Sequence, residues 1–205
     1  MSFFVAQVHN VAAPLAAFPV TTRRARFWRR SRHKAKRRTP NTEHPMLKSE
    51  ANPADVATID SIITAAYDGI SGPAGKKRNW DRERSLYIPG ARLIPTAMKA
   101  GTEDIDLAPH LLDIEGFIAR VEPFFEKSGF YEKEIARRTE QFGQIAHVWS
   151  TYESRHNEDD PEPFMRGINS IQLFNDGKRW WIVSIYWQQE NASAPIPDKY
   201  LEGAD

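Results

Sequence analysis

One histidine has a position from which it could do acid–base chemistry. His147 lies in the middle of the run 144–154, whose β-branched and aromatic neighbours predict a strand. An imidazole changes charge near neutral pH, so a histidine that faces a pocket can act as a general base. The alternative is a strand histidine whose nitrogens are satisfied by a backbone or side-chain partner. The sequence makes His147 a catalytic candidate without deciding between the two.

Three further candidates, Asn169, Ser184 and Tyr186, lie within the last two apolar runs, 164–174 and 178–189. Asp176-Gly177 between these runs predicts a β-hairpin with a two-residue type I′ turn. That turn pairs Asn169 with Ser184 and Gly167 with Tyr186 on one face. The polar groups would then meet inside an otherwise apolar wall, where they either orient a ligand or satisfy one another.

Two aromatic residues on predicted helices complete the expected ligand-binding set. Tyr67 belongs to the apolar stripe of the first helix, and its hydroxyl requires a hydrogen-bond partner when the ring is buried. Trp80 lies in a short amphipathic segment and is either a core residue or the lid of a pocket. We therefore predict a pocket between the first helix, the Trp80 segment and the hairpin.

The other face of the predicted hairpin is also apolar. With the turn at Asp176-Gly177, one face carries Trp181, Val183, Ile185 and Trp187. A sheet with one wet face would alternate more cleanly between apolar and polar residues. Helices can cover only one face, so we expect a second copy of the chain to cover the other, in a two-fold homodimer through Trp181 and Trp187.

Motifs for metals, nucleotides and covalent catalysis are missing from the sequence. It has no cysteine, no phosphate-binding glycine loop and no nucleophile elbow. Asp104 and Asp106 fit solvated loop acids better than a catalytic pair, and Glu158–Asp160 lie in a proline-flanked polar loop. We expect no metal and no cofactor.

Helical and strand signals alternate in an order typical of an α+β domain. Asn52 and Pro53 predict the start of a helix whose apolar stripe runs to Ile70. A short helix over 78–86, a strand over 91–96, a strand or loop over 101–107 and a helix over 114–127 follow. Four antiparallel strands over 131–139, 144–154, 164–174 and 178–189 end the domain. We expect a curved antiparallel sheet with helices on its concave face.

Three stretches resemble a known family. The first helix followed by Asn79–Ile94, the helix Asp113–Phe125 and the closing run Gly167–Trp187 are similar to the SnoaL-like branch of the nuclear-transport-factor-2-like superfamily. The resemblance implies a cone-shaped fold with a pocket between helices and sheet, often paired through the sheet. In that family, isomerases place an acid on a strand near the pocket. The last two strands carry none, which argues against that activity here.

Charge divides the chain into a basic start and an acidic remainder. Residues 23–38 contain ten Arg or Lys, and Glu43 is the only acid in residues 1–45, which carry a net charge of +9. Residues 46–205 carry −8. We predict that residues 1–45 are a disordered, separable extension and that 46–205 are one domain. Alternative roles for the extension are a nucleic-acid-binding arm and an organelle transit peptide.

Two classes of function remain open. The first is a small-molecule domain with an apolar pocket, either a binder or a cofactor-free lyase or isomerase. The second is a structural homodimerisation domain without a ligand. No apolar run approaches the roughly 18–20 residues of a transmembrane helix. We expect a cytoplasmic protein, or an organellar one if the basic segment is a transit peptide.

Overall fold

The structure, a computed structural model, describes residues 50–96 and 110–202. The predictions for residues 1–45, for the possible strand 101–107 and for Asp104 and Asp106 lie outside the described residues. The described helices and strands are α1 (Ile59–Ile70), α2 (Trp80–Leu86), β1 (Tyr87–Pro95), α3 (Ile114–Phe125), β2 (Tyr131–Phe142), β3 (Ile145–Arg155), β4 (Met165–Asn175) and β5 (Trp180–Gln189). None of the helices in these ranges is long and apolar enough to cross a bilayer.

The first helix starts later than its sequence signals predict. Asn52 does act as a cap, but only for a single 3-10 turn over Pro53–Val56. Thr58 then caps α1, in a capping box in which Thr58 and Ser61 exchange hydrogen bonds between side chain and backbone. The single long helix predicted from Asn52 is therefore wrong, because the stronger cap lies six residues further on.

Arg78 fixes the connection between α1 and α2. Its buried guanidinium donates hydrogen bonds to the carbonyl oxygens of four residues, at 2.7 to 3.0 Å: Ile70, Gly72, Pro73 and Lys76. The same group lies 4.7 Å from the centre of the Phe125 ring. A rigid connection of this kind holds α2 in place over the sheet.

The five strands form one open sheet in the order β1-β5-β4-β3-β2. β2 to β5 pair antiparallel, as predicted, whereas β1 joins the edge of the sheet parallel to β5. α1 and α3 lie on one face, which we call the inner face, and the main hydrophobic core fills the space between them and the sheet. The predicted α+β cone, with a curved sheet and helices on its concave side, is confirmed.

The β4–β5 hairpin differs from the predicted register. Its connection has four residues, Asp176 to Arg179, and Phe174 pairs with Trp181 rather than with Arg179. The Asp176 carboxylate accepts hydrogen bonds from the backbone N–H groups of Lys178 and Arg179, which stabilises the longer loop. The glycine of the Asp-Gly pair does adopt the expected positive φ, +89° at Gly177.

A β-bulge changes which side chains of β5 face the helices. The register shifts by one residue between Gln172 and Leu173, and Val183 is the extra residue on β5. An extra residue inverts the alternation of side chains beyond it. As a result Ile185 and Trp187 point to the inner face, while Ser184 and Tyr186 point to the opposite, outer face. The predicted sharing of one face by Trp181, Val183, Ile185 and Trp187 is therefore wrong.

Part of the outer face is covered by residues 190–202, which we call the C-terminal segment. The Tyr200 ring stacks on Trp149 at 5.5 Å, and Thr151 donates a hydrogen bond to the Tyr200 carbonyl oxygen at 2.6 Å. Ile196 in the same segment is buried. The chain thus supplies some cover for its own outer face, which the sequence did not indicate.

Candidate functional site

A cavity of about 220 Å³ lies between the helices and the inner face of the sheet. Its wall is mostly aromatic and aliphatic, with a few polar groups that converge on the interior. The lining residues with a hydroxyl, carboxyl or amide group are Tyr67, Glu83, Tyr87, Glu132, Tyr152 and Asn169. Phe124 on α3 also lines it and is 42% exposed, which places the solvent-accessible side of the cavity at α3.

Tyr67 and Asn169 meet inside this cavity, joined by a hydrogen bond. The Asn169 side-chain amide donates to the Tyr67 hydroxyl at 3.0 Å. The Tyr67 oxygen lies 2.6 Å from the Ser150 hydroxyl, which in turn donates to a Glu134 carboxylate oxygen. Because a carboxylate only accepts, Ser150 must accept the Tyr67 hydrogen. The direction of every bond in this chain is therefore fixed, and burial raises the pKa of Tyr67 far above its usual value.

Glu132 brings a carboxyl group into the cavity wall from β2. Ser154 donates a hydrogen bond to Glu132 Oε2 at 2.9 Å, and Ser154 is fully buried. Burial raises the pKa of Glu132 to about 7, although hydrogen bonds from Ser154 and Asn169 oppose that shift. A carboxyl group with this pKa changes its protonation state near neutral pH.

Glu83 brings a second carboxyl group from α2. The side chain is 1% exposed, and the Tyr87 hydroxyl donates to Oε1 at 3.0 Å. Oε2 has no hydrogen-bond partner among the described residues. Burial raises the pKa of Glu83 to about 8. The carboxyl group fits because residue 69 is glycine, since a Cβ on Gly69 would lie 1.9 Å from Glu83 Oε2.

The residues predicted to bind a ligand divide between the two faces of the sheet. Tyr67 and Asn169 are together in the cavity. Ser184 and Tyr186 are on the outer face, where they pair with Gln172 and Ser170, so the predicted opposition of Asn169 and Ser184 is wrong.

His147 also lies on the outer face. Its Nε2 is 3.0 Å from the Ser170 hydroxyl, which is the satisfied strand histidine that the sequence left open as an alternative. An imidazole on this side of the sheet has no path to a ligand in the cavity. His147 is therefore not the base of this site.

Trp80 lies behind the cavity wall. Its ring stacks on Phe125 at 6.2 Å, and its indole N–H donates to the Glu122 carboxylate at 3.2 Å. Of the two roles left open by the sequence, core residue and pocket lid, these contacts match the first. Phe125, which lines the cavity, is held in place by Trp80 on one side and Arg78 on the other.

Sequence reasoning missed the two cavity carboxyl groups. Glu83 lies among the alternating charges of Trp80–Leu86, and Glu132 lies in a strand whose pattern is mostly polar, so both resemble solvated residues. A usable signal was the spacing of Glu132 and Glu134, which places two acids on one face of a strand that must face α1. The glycine at position 69, inside α1, was a second signal.

Solved structures of similar fold share little sequence with this chain. A protein of unknown function with a cystatin-like fold from Nostoc punctiforme matches 70% of this chain and 96% of its own, with 8% identity and a TM-score of 0.50. A nuclear-transport-factor-2-like protein of unknown function from Shewanella baltica matches 65% and 91%, with 14% identity and a TM-score of 0.41. One from Silicibacter pomeroyi matches 65% and 94%, with 12% identity and a TM-score of 0.43.

At a TM-score of 0.50, the chain shares the fold of the Nostoc punctiforme protein, which is described as cystatin-like. Neither a family model nor a curated protein matches its sequence. Because one fold can support many unrelated activities, this likeness establishes architecture and not function.

Proposed function

We propose that this domain binds a small, mostly apolar organic molecule in the cavity between α1, α3 and the inner face. The observation that carries the proposal is the convergence of Tyr67, Asn169 and Glu132 on an otherwise apolar cavity. A few fixed polar groups within an apolar wall are the usual composition of a small-molecule site. The resemblance to SnoaL-like proteins supports the same proposal.

The size of the cavity limits the ligand. Drug-sized ligands occupy pockets of roughly 300–1,000 Å³, whereas an apolar cavity of about 150 Å³ is enough for benzene. A volume of about 220 Å³ therefore suits a single ring with a short substituent. Steroids and other polycyclic molecules are too large for this cavity.

A thermal-shift titration of the full chain with 2-phenylethanol tests the proposal. A ligand that binds only the folded state raises the melting temperature as its concentration exceeds Kd. Ala66→Leu, which adds a larger side chain to the cavity wall, should remove most of this shift. Thr64→Leu is the matched control, because Thr64 is exposed on the same helix and lies outside the cavity wall. Equal shifts in both variants would place binding outside the cavity.

A second candidate function is proton transfer on the bound molecule. Glu132 and Glu83 have pKa values of about 7 and 8, raised by burial, and acids with pKa near the working pH are efficient general acids and bases. An ionised carboxylate would take a proton from the carbon next to a ketone and return one to the same position. Cyclohexanone in D₂O, followed by the loss of its α-proton NMR signals, tests this. If the parent and Glu132→Gln exchange the α-protons at the same rate, Glu132 is not the base.

Two finer statements stay predictions. Membership of the SnoaL-like branch is supported by Asn79–Ile94, Asp113–Phe125 and Gly167–Trp187, and nothing beyond that resemblance distinguishes it from other nuclear-transport-factor-2-like proteins. A cytoplasmic location also stays a prediction.

A further inference from the structure

The acids of this protein fall into two groups according to their partners. Four shielded carboxylates, with side chains 11% to 22% exposed, each form an ion pair with an arginine: Asp55 with Arg82, Glu134 with Arg137, Glu153 with Arg155, and Glu190 with Arg166. Pairing of this kind is the usual condition for keeping a charge away from water. It shows how this fold normally stabilises a shielded acid.

The two cavity carboxyl groups lack such a partner. Glu132 accepts side-chain hydrogen bonds from the Ser154 hydroxyl and from Asn169, and Glu83 accepts one from the Tyr87 hydroxyl. Glu134 shows the contrast, because it lies two residues from Glu132 on the same strand and binds Arg137 through both oxygens. Arg82, the neighbour of Glu83 in sequence, has its guanidinium on Asp55 at 2.7 and 3.0 Å.

The cavity wall contains no cation among the described residues. Its side chains are apolar, aromatic, amide, phenol or carboxyl. Eight of them are aromatic: Tyr67, Tyr87, Phe117, Phe124, Phe125, Phe130, Tyr152 and Trp187. Aromatic faces attract a cation, and the attraction grows when water is excluded. Two carboxyl groups and an aromatic wall thus favour a positively charged ligand and oppose a negatively charged one.

We propose that the ligand is a protonated amine on a small apolar body, with the ammonium group bound by the Glu132 carboxylate and the body held among the aromatic rings. The inference rests on the proposed function and specifies its ligand class. Glu83 adds a second acidic group to the same cavity wall. An ammonium group supplies the positive charge that an arginine supplies to each of the four other shielded acids.

Three probes of the same size and different charge test the inference. Isothermal titration calorimetry on the full chain at pH 8 compares 2-phenylethylamine, 2-phenylethanol and phenylacetate. An alkylamine, like a lysine side chain, stays protonated at this pH. A charge-assisted hydrogen bond favours the amine over the alcohol by about tenfold or more in Kd. Phenylacetate should bind more weakly than the alcohol, because its negative charge is repelled by the cavity carboxylates.

Variants that remove a carboxylate charge identify the group that binds the ammonium. Glu132→Gln should bring the Kd ratio of alcohol to amine close to one, because it removes the charge that favours the amine. Glu83→Gln should lower the same ratio by a smaller factor. Glu140→Gln is the matched control, because Glu140 is exposed on the same strand and lies outside the cavity wall. Circular dichroism confirms that each variant is folded.

Different results would overturn different statements. Equal binding of amine and alcohol to the parent would refute the amine inference and leave small-molecule binding intact. A preference for the amine that survives in both Glu132→Gln and Glu83→Gln would also refute it, because the charge would then be recognised elsewhere. The absence of binding by all three probes would refute both the inference and the proposed function.

Discussion

Polar side chains on the two faces of the sheet differ in the partners that they bind. On the outer face, Glu153 pairs with Arg155 and Lys133, and the His147 ring bonds Ser170. On the inner face, Glu83 and Glu132 have only hydroxyl or amide partners, and burial raises the pKa of both. Glu153 and His147 have partners within the chain, whereas Oε2 of Glu83 has no hydrogen-bond partner among the described residues. This difference supports the proposal that a ligand binds at the inner face.

The two faces also differ in how many of their apolar side chains are buried. The inner face holds the core, with side chains such as Ile182 and Val148 at 0% exposed. The outer face keeps several large apolar side chains in contact with solvent. Changes on the inner face should therefore affect folding and ligand binding, and changes on the outer face should affect contacts between molecules.

The largest effect is expected from two adjacent positions of β5. Ile182 is 0% exposed on the inner face, and Val183, the bulge residue, is 37% exposed. Ile182→Ala should lower the free energy of unfolding by about 2–5 kcal/mol, since it removes buried methylenes and leaves a cavity. Val183→Ala should cost less than about 1 kcal/mol. Urea unfolding measures both, and similar losses would show that the bulge does not divide the faces.

The next effect is the pH dependence of stability that Glu83 causes. Burial raises the pKa of Glu83 to about 8, whereas a glutamate in an unfolded chain has a pKa near 4.3. Between these values the folded state holds a proton that the unfolded state has released. The contribution of Glu83 to stability is therefore greatest below about pH 4.3 and falls as pH rises to about 8. Glu132 adds a fall of the same sign that ends near pH 7.

Glu83→Gln should flatten this dependence. Between pH 5.5 and 8.5 the parent should lose on the order of 2–4 kcal/mol more unfolding free energy than the variant. The slope is the measurement, so a constant cost of the substitution does not affect the comparison. Urea unfolding at several pH values gives that slope. Parallel curves for parent and variant would mean that Glu83 is not the titrating group.

A third prediction concerns self-association through the outer face. Ile145, Trp149, Val183 and Tyr186 are 37% to 59% exposed on that face, and the C-terminal segment contacts the face at Trp149 and Thr151. We propose that a second copy covers the rest in a two-fold dimer, because equivalent patches on two copies can pair with each other. The contact predicted from the sequence used both Trp181 and Trp187. Because Trp187 lines the cavity, the proposed contact instead uses the four exposed apolar residues of the outer face.

Light scattering at tens of micromolar checks the dimer. Val183→Glu should convert a dimeric parent to a monomer without loss of the folded circular-dichroism spectrum, because a charge is placed on the contact surface. Lys178→Glu is the control, since Lys178 lies in the exposed β4–β5 loop. A parent that is already monomeric would rule out the contact. Trp187→Glu is unsuitable as a test, because it places a charge in the cavity wall.

Sequence patterns determined the architecture better than the site. Apolar periodicity located the helices, and alternation located β2 to β5, because these signals are local. Side-chain direction in β5 depends on the loop length and on the bulge at Val183, and neither has a distinct local signature. Tyr67 and Asn169 were predicted as ligand contacts, and both line the cavity. Ser184 and Tyr186 were misplaced by the register.

The buried acids were missed for a related physical reason. A glutamate in a mostly polar segment is ordinarily solvated, and only tertiary packing shows that Glu83 lies against Gly69 under α1. The ionisable residue chosen from sequence, His147, was in the more apolar strand and turned out to face away from the cavity. Apolar neighbours in a strand indicate burial of one face without telling which face holds the ligand.

The smallest effect is expected at His147. His147→Gln removes an imidazole whose Nε2 lies 3.0 Å from the Ser170 hydroxyl on the outer face. Losing one partly exposed hydrogen bond should cost about 0.5–1.5 kcal/mol of unfolding free energy. The Kd of 2-phenylethylamine should stay within about twofold of the parent value, because the sheet separates this side chain from the cavity. Asn169→Ala is the comparison, since it removes a polar group from the cavity wall itself and should weaken the same ligand by about 1–3 kcal/mol. If His147→Gln weakens binding as much as Asn169→Ala does, the ligand contacts the outer face, and the division between the two faces of the sheet is wrong.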